Sequence, residues 1–341
     1  MKPSGFKKLF FTILAIGLSL VGCLLAFEVA YRLQVVDFYR PELLAFNPKS
    51  ALQESEKKPT LLILGDSFSV GTESYANILR TRLPDLCIIN SSIPGTGIAQ
   101  IALIAQSRLR RFHPALLLYQ IYVGNDLFDI SYPTNWKTLS VARNLYWGLS
   151  SRFRSLAFLN YRLGQEASTI LDKGYQPFQP RDAVYRSNDL FSPRRFLNNE
   201  PLMLKADPRL IEKQILLLEE RAKDFEFLVH KLHWMESIKD PRCPFLLLVI
   251  PHACQVSTRY LERTRKLGAL FNDEILVCQE QYPFVQHLQK ELKNCIVINP
   301  LRLFREKEES GLELYWPNDI HLNPNGNTVL ADYVASTVSN W

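Results

Sequence analysis

The sequence predicts an α/β fold, a three-layer α/β/α sandwich around a parallel sheet, preceded by one N-terminal transmembrane helix. Three observations carry this prediction. Short, continuously apolar runs recur along the chain and alternate with longer amphipathic stretches, as a doubly wound sheet requires. The first of these runs, Leu61-Leu62-Ile63-Leu64, stops abruptly at Gly65-Asp66-Ser67, as a strand buried on both faces would when it leaves its sheet. Nineteen uncharged, mostly apolar residues, Leu9 to Phe27, follow Lys2, Lys7 and Lys8.

That N-terminal run is long enough to cross a hydrocarbon core as one helix, and its basic flank keeps the first residues in the cytoplasm. Everything after Arg32 is then expected outside the cytoplasm, in the periplasm if the source is Gram-negative. Leu20-Val21-Gly22-Cys23 offers a competing reading, a lipoprotein signal lipidated at Cys23. The residues after Cys23 stay apolar through Phe27, without a polar tether, which favours an uncleaved anchor. Residues 1–32 are expected as cytoplasmic tip and anchor, 33–58 as a stalk of mixed polarity, and 59–341 as the extracytoplasmic domain.

Strands are expected at Thr60–Leu64, Leu86–Ile89, Ala115–Val123, Phe245–Ile250 and Cys295–Ile298. Helices are expected at Tyr75–Leu83 and Ile98–Phe112, along the amphipathic stretch Asp207–Ile238, and at Pro324–Val338. Residues 131–205 break the alternation. They hold eleven Lys/Arg against five Asp/Glu, and twelve Phe/Trp/Tyr, among them Trp136, Trp147, Arg152, Arg154, Tyr161, Arg194 and Arg195. Such an insertion reads either as a lid or substrate platform, or as a surface subdomain whose aromatics form its own small core.

Composition is that of an ordinary globular protein, with 47% apolar and 22% charged residues. The net charge of +6 comes with no nucleic-acid-binding signature, so no nucleic-acid partner is expected. Six cysteines include no Cys-x-x-Cys pair, which argues against structural zinc. Cys87 and Cys295 begin apolar runs and suit the core, while Cys254 and Cys278 could pair across a helical segment. His230 and His233 fit a solvated helix face; His252 follows a strand and could line the site or be a loop residue, and it stays outside the catalytic set; His113 and His287 have no obvious partner.

Ser67 ends the first strand, where ligands of a parallel sheet bind. A serine hydroxyl needs a base to remove its proton, and the base needs an acceptor to fix its tautomer. Asn318-Asp319-Ile320-His321 supplies both in a Pro/Asn-rich loop. Donors for a developing oxyanion are available after the next two strands, in Asn90-Ser91-Ser92-Ile93-Pro94-Gly95 and in Val123-Gly124-Asn125-Asp126.

These four segments, in this order, resemble the blocks of the SGNH hydrolases, or GDSL lipase/esterase family, over about residues 59–130 and 240–340. The resemblance implies a flavodoxin-like sheet, Ser67 as nucleophile, His321 as base, and an oxyanion hole formed by the Ser67 and Gly95 N–H groups with the Asn125 side chain. The usual family acid lies three residues before the histidine, a position held here by Asn318, whereas Asp319 lies two residues before it. Asp319 is taken as the orienting acid and Asn318 as its alternative. The implied activity is a membrane-tethered esterase cleaving an O-acyl ester, carried by a glycan or lipid, without metal or organic cofactor. O-acyl transfer to an envelope or exported polysaccharide is the alternative, and an inert scaffold of the same fold is a third reading.

Overall fold

Five parallel strands, β1 (Thr60–Leu64), β2 (Cys87–Asn90), β3 (Leu116–Tyr122), β4 (Phe245–Ile250) and β5 (Cys295–Ile298), build one sheet in the order β2-β1-β3-β4-β5. The computed structural model describes residues 5–55, 57–171, 191–197, 199–271, 274–277 and 281–339. Every residue of β1 to β4 is buried, which is why these strands read as continuous apolar runs and not as alternating ones. Leu61 pairs with Leu116 on one side and Ile88 on the other, so β1 is an interior strand and its neighbours diverge in chain order. The resulting switch point lies between β1 and β3, where open α/β sheets place their ligands.

The apolar helix α1 (Gly5–Arg32) leads through α2 (Arg40–Ala45) and α3 (Lys49–Glu54) into β1. Helix α4 (Tyr75–Arg82) packs with the C-terminal helix Pro324–Ser339, and α5 (Ile98–Phe112) packs with the helix Ala222–Ile238, so helices cover both faces of the sheet. Beyond β3 come α6 (Val141–Ser150) and α7 (Arg154–Leu171).

Two expectations need correction. Residues 33–58 are not a free stalk. Tyr39 and Leu43 are buried in the core, Asp37 receives both terminal nitrogens of Arg108 on α5 at 2.7 and 2.9 Å, and Asn47 exchanges amide hydrogen bonds with the Asn90 backbone at 2.7 and 2.8 Å. The Asn47 side chain thereby satisfies the open edge of β2. Nor is Asp207–Ile238 one helix: it is broken into Leu210–Ile215, a single turn at Glu219–Arg221 and Ala222–Ile238. Leu217 takes a left-handed conformation at φ +50°. No Gly or Pro marks this break, and the buried Gln214 beside it is held by tertiary bonds described below.

The insertion's aromatics are largely structural. Trp147 is buried, stacks on Tyr132 at 5.9 Å and meets Phe128 edge-on at 5.6 Å. Phe158 packs among Tyr31, Phe38 and Tyr39, joining α7 to the end of α1. Trp136 remains exposed, and residues 172–190 of the expected lid lie outside the described residues. Cys278 also lies outside them, while Cys254 is buried as a free thiol.

Candidate active site

β1 delivers Ser67 to the carboxyl edge of the sheet, beside the switch point. A side chain at Gly65 would bring a Cβ within 2.6 Å of Gln120 Oε1, so the close approach of β1's exit to β3 requires glycine. Gln120 Oε1 accepts from the Asp66 N–H at 3.0 Å and from Ser69 Oγ at 3.1 Å. The Asp66 carboxylate then caps the short turn Ser67–Ser69 by accepting the Phe68 N–H at 2.9 Å. Ser67 is thus the first residue of a turn braced on both sides.

Ser67 Oγ lies 2.7 Å from His321 Nε2, and His321 Nδ1 lies 2.7 Å from Asp319 Oδ1. The chain brings residues 254 positions apart into one relay. His321 sits on a loop closed by the Tyr315–Leu322 bridge, by the Trp316 N–H on the His321 carbonyl at 3.1 Å, and by the Asn323 N–H on the Leu314 carbonyl at 2.9 Å. The loop is further tied to α4, because Asn327 Oδ1 accepts the Tyr75 N–H at 3.0 Å. Asn318 faces elsewhere: its Oδ1 accepts the Ser192 N–H at 2.7 Å and its carbonyl accepts the Leu197 N–H at 3.0 Å. Asn318 therefore fastens the end of the insertion, and the carboxylate at His321 is Asp319.

The Phe68 ring packs at a tilt against both Tyr122, at 4.2 Å, and His321, at 4.8 Å, so it flanks the imidazole. Sequence reasoning passed over this residue; an aromatic directly after the serine is its only signal. It also passed over Gln214, which is fully buried, donates to the Gly124 carbonyl at 2.7 Å and accepts the Phe128 N–H at 3.1 Å. In the sequence Gln214 directly follows Glu212 and Lys213 and so looks like one more polar residue of a solvated face.

The two expected oxyanion segments reach the same edge. The Ile93 N–H bonds the Gly65 carbonyl at 2.9 Å, bringing the Gly95 loop alongside Ser67. Gly95 is left-handed at φ +67° and faces open space, so its lack of a side chain leaves the surface there clear. Asn125 follows β3 in a turn closed by Asp126 Oδ2, which accepts the Tyr122 N–H at 2.6 Å. Its side-chain Oδ1 is buried and makes no hydrogen bond among the described residues.

Three buried carboxylates support this edge. Burial pushes Asp66 up to about 6 and Asp129 up to about 8, the latter aided by the charge of Asp66, and burial also raises Asp126. His252, read from the sequence as either lining the site or lying in a loop, is buried here: its Nδ1 accepts the Cys254 N–H at 3.1 Å and its Nε2 lies 2.9 Å from Glu200 Oε1. Together with Trp316 and Arg263 it lines a small pocket behind Asp319. His230 and His233 lie exposed on their helix. Among the described residues, no group of three or more His, Cys, Asp or Glu side chains could hold a metal ion.

No protein-family model and no curated protein matches the chain. Among solved structures it is similar to a lipase/acylhydrolase from Enterococcus faecalis, at 9% identity over 83% of this chain and 96% of that one, with a TM-score of 0.38. It is also similar to a member of the lipolytic G-D-S-L family from Veillonella parvula, at 7% identity over 83% and 99%, TM-score 0.37. A catalytic mutant of an acetylxylan esterase from Geobacillus stearothermophilus aligns at 11% identity over 82% and 94%, TM-score 0.40. At identities and scores this low, the chemistry of the site is read from its own residues.

Proposed function

We propose that this chain is a membrane-tethered, extracytoplasmic serine esterase of the SGNH type. The observation that supports this most directly is the hydrogen-bonded relay from Ser67 through His321 to Asp319. In this reading His321 Nε2 takes the Ser67 proton as Oγ attacks the ester carbonyl, and Asp319 holds the Nδ1–H and stabilises the imidazolium. The oxyanion is held by the Ser67 and Gly95 N–H groups and the Asn125 amide. His321 returns the proton to the leaving alcohol, and water, deprotonated by the same base, releases the acid from the acyl-enzyme.

A glycan hydroxyl in place of water makes the same acyl-enzyme a transferase, and acylated glycan in place of free acid distinguishes the two. The excess of Lys and Arg in residues 131–205 supports an anionic glycan ester as substrate. Equal turnover of neutral and uronic-acid esters would overturn that preference.

The test is fluorophosphonate labelling of the full chain in detergent or nanodiscs beside Ser67→Ala and His321→Ala, with aryl acetate turnover in parallel. The full chain is needed because Tyr31, in the last turn of α1, is part of the core. Labelling and turnover by wild type alone are expected. A folded protein that neither labels nor turns over ester would favour the inert-scaffold reading.

A further inference from the structure

Val141, Leu145 and Leu149 recur every fourth residue along α6 and are 65%, 54% and 37% exposed. The opposite side of the helix buries Asn144, Trp147 and Ser150. Helix α6 thus packs on the domain through Trp147 and also leaves a second, apolar stripe outward, which a helix on a domain surrounded by water would not. Its rotation is set by Asn144 Oδ1, which accepts the Asn135 N–H at 2.7 Å, and by Trp147 packed on Phe128 and Tyr132.

The end of α1 is docked where α6 turns into α7. The Glu28 carboxylate accepts the N–H groups of Arg154 and Ser155 at 3.1 and 2.8 Å, capping the first turn of α7. Arg32 bonds Glu28 at 2.5 Å and the carbonyl of Arg152, in the turn between the two helices, at 2.7 Å. Since the turn from Phe27 onward packs against protein, eighteen residues, Leu9 to Ala26, remain to cross a bilayer. At about 1.5 Å per residue they span roughly 27 Å, close to a hydrocarbon core of about 30 Å. The bilayer surface then falls at the level of Glu28, which is also the level of the α6–α7 turn. Leu33, Val35 and Val36, exposed directly after α1, and the exposed Arg143 and Arg152 suit the same boundary, apolar side chains toward acyl chains and guanidinium groups toward phosphates.

We infer that α6 is an interfacial helix, its Val141-Leu145-Leu149 face immersed in the phospholipid leaflet from which α1 emerges. The inference rests on reading α1 as a membrane anchor. It makes the catalytic domain a body seated on the bilayer by two helices, not one suspended from a tether.

The experiment reconstitutes the full chain in phosphatidylethanolamine/phosphatidylglycerol vesicles containing a phospholipid with a diazirine near the glycerol end of its acyl chain. After photolysis, adducts are mapped by mass spectrometry of peptides. Adducts are expected in α1 and in residues 141–149, and Leu145→Glu with Leu149→Glu should abolish the second set while the α1 adducts and fluorophosphonate labelling persist. Adducts in α1 with none in 141–149 would overturn the inference and leave the anchor standing. Absence of adducts from α1 itself would remove the anchor reading and the inference with it. Crosslinking of the α6 face to a second copy, with no lipid adducts there, would also overturn it.

Discussion

Asp319 Oδ1 sits 2.7 Å from His321 Nδ1 and 3.4 Å from the His321 backbone nitrogen. One carboxylate oxygen therefore faces both the turn and the ring two residues on, the local geometry that short Asp side chains favour in loops. This explains how an acid placed closer to the histidine than usual still reaches it.

Asp319→Asn should lower kcat by about four orders of magnitude, since an amide neither holds the reactive tautomer nor stabilises imidazolium. Asn318→Ala should act instead on the insertion, freeing the Ser192 N–H while the Leu197 N–H keeps the main-chain carbonyl of residue 318, at a cost of about 1–3 kcal/mol in stability with a far smaller loss of kcat. Aryl acetate kinetics and thermal melts of the two variants check this; the opposite ranking would mean that the acceptor is wrongly assigned.

Gly326→Ala should be severely destabilising. A Cβ there would lie 2.2 Å from the Leu314 carbonyl oxygen, a backbone atom that already accepts the Asn323 N–H within the His321 loop. The helix start and the loop must separate, at a cost of about 1–3 kcal/mol or more. Melting temperature and fluorophosphonate labelling should fall together, and unchanged values in both would contradict the packing described.

Asp129 gives stability a defined pH dependence. Its carboxyl titrates at about 8 in the folded chain and near the ordinary value, about 4, when unfolded. Between those values the folded chain keeps a proton that the unfolded chain has lost, so this contribution is fully present below about pH 4 and is lost as pH rises toward 8. Asp129→Asn, which imitates the protonated acid, should therefore show a shallower decline in melting temperature from pH 5 to pH 8 than wild type. Parallel curves would place Asp129 among the ionised carboxylates.

Glu28→Ala should uncap α7 and leave the Arg154 and Ser155 N–H groups buried without their acceptor, costing about 1–3 kcal/mol. Arg154 also donates to the carbonyls of Asp129 and Ile130 at 2.9 and 2.8 Å, just beyond Asn125, so loosening should reach that loop. Hydrogen exchange across residues 125–130 in detergent should quicken in the variant; exchange confined to α1 and α7 would show that the two are uncoupled.

Much of the sheet was legible because its strands are buried on both faces. Thr60–Leu64, Phe245–Ile250 and Cys295–Ile298 appear at their expected bounds, and the other two strands shift by one residue at each end. The break at Leu217 was not legible, since no glycine or proline marks it and the Gln214 bonds to Gly124 and Phe128 beside it are made across the fold. The stalk was misread for a similar reason: its polarity is mixed because Asp37, Glu42 and Asn47 face specific partners on α5, α7 and β2.

The sequence alone determined which residue types could do the chemistry and that they fall at the ends of strands, because apolar periodicity and loop composition are local properties. It also determined that the first helix is long and apolar enough to cross a membrane. Only the tertiary structure decided between Asp319 and Asn318, supplied Phe68 as the flank of His321, and left an apolar stripe of α6 outward. Each of these depends on which surfaces meet across distant segments, and such meetings are set by packing and hydrogen-bond satisfaction over the whole chain.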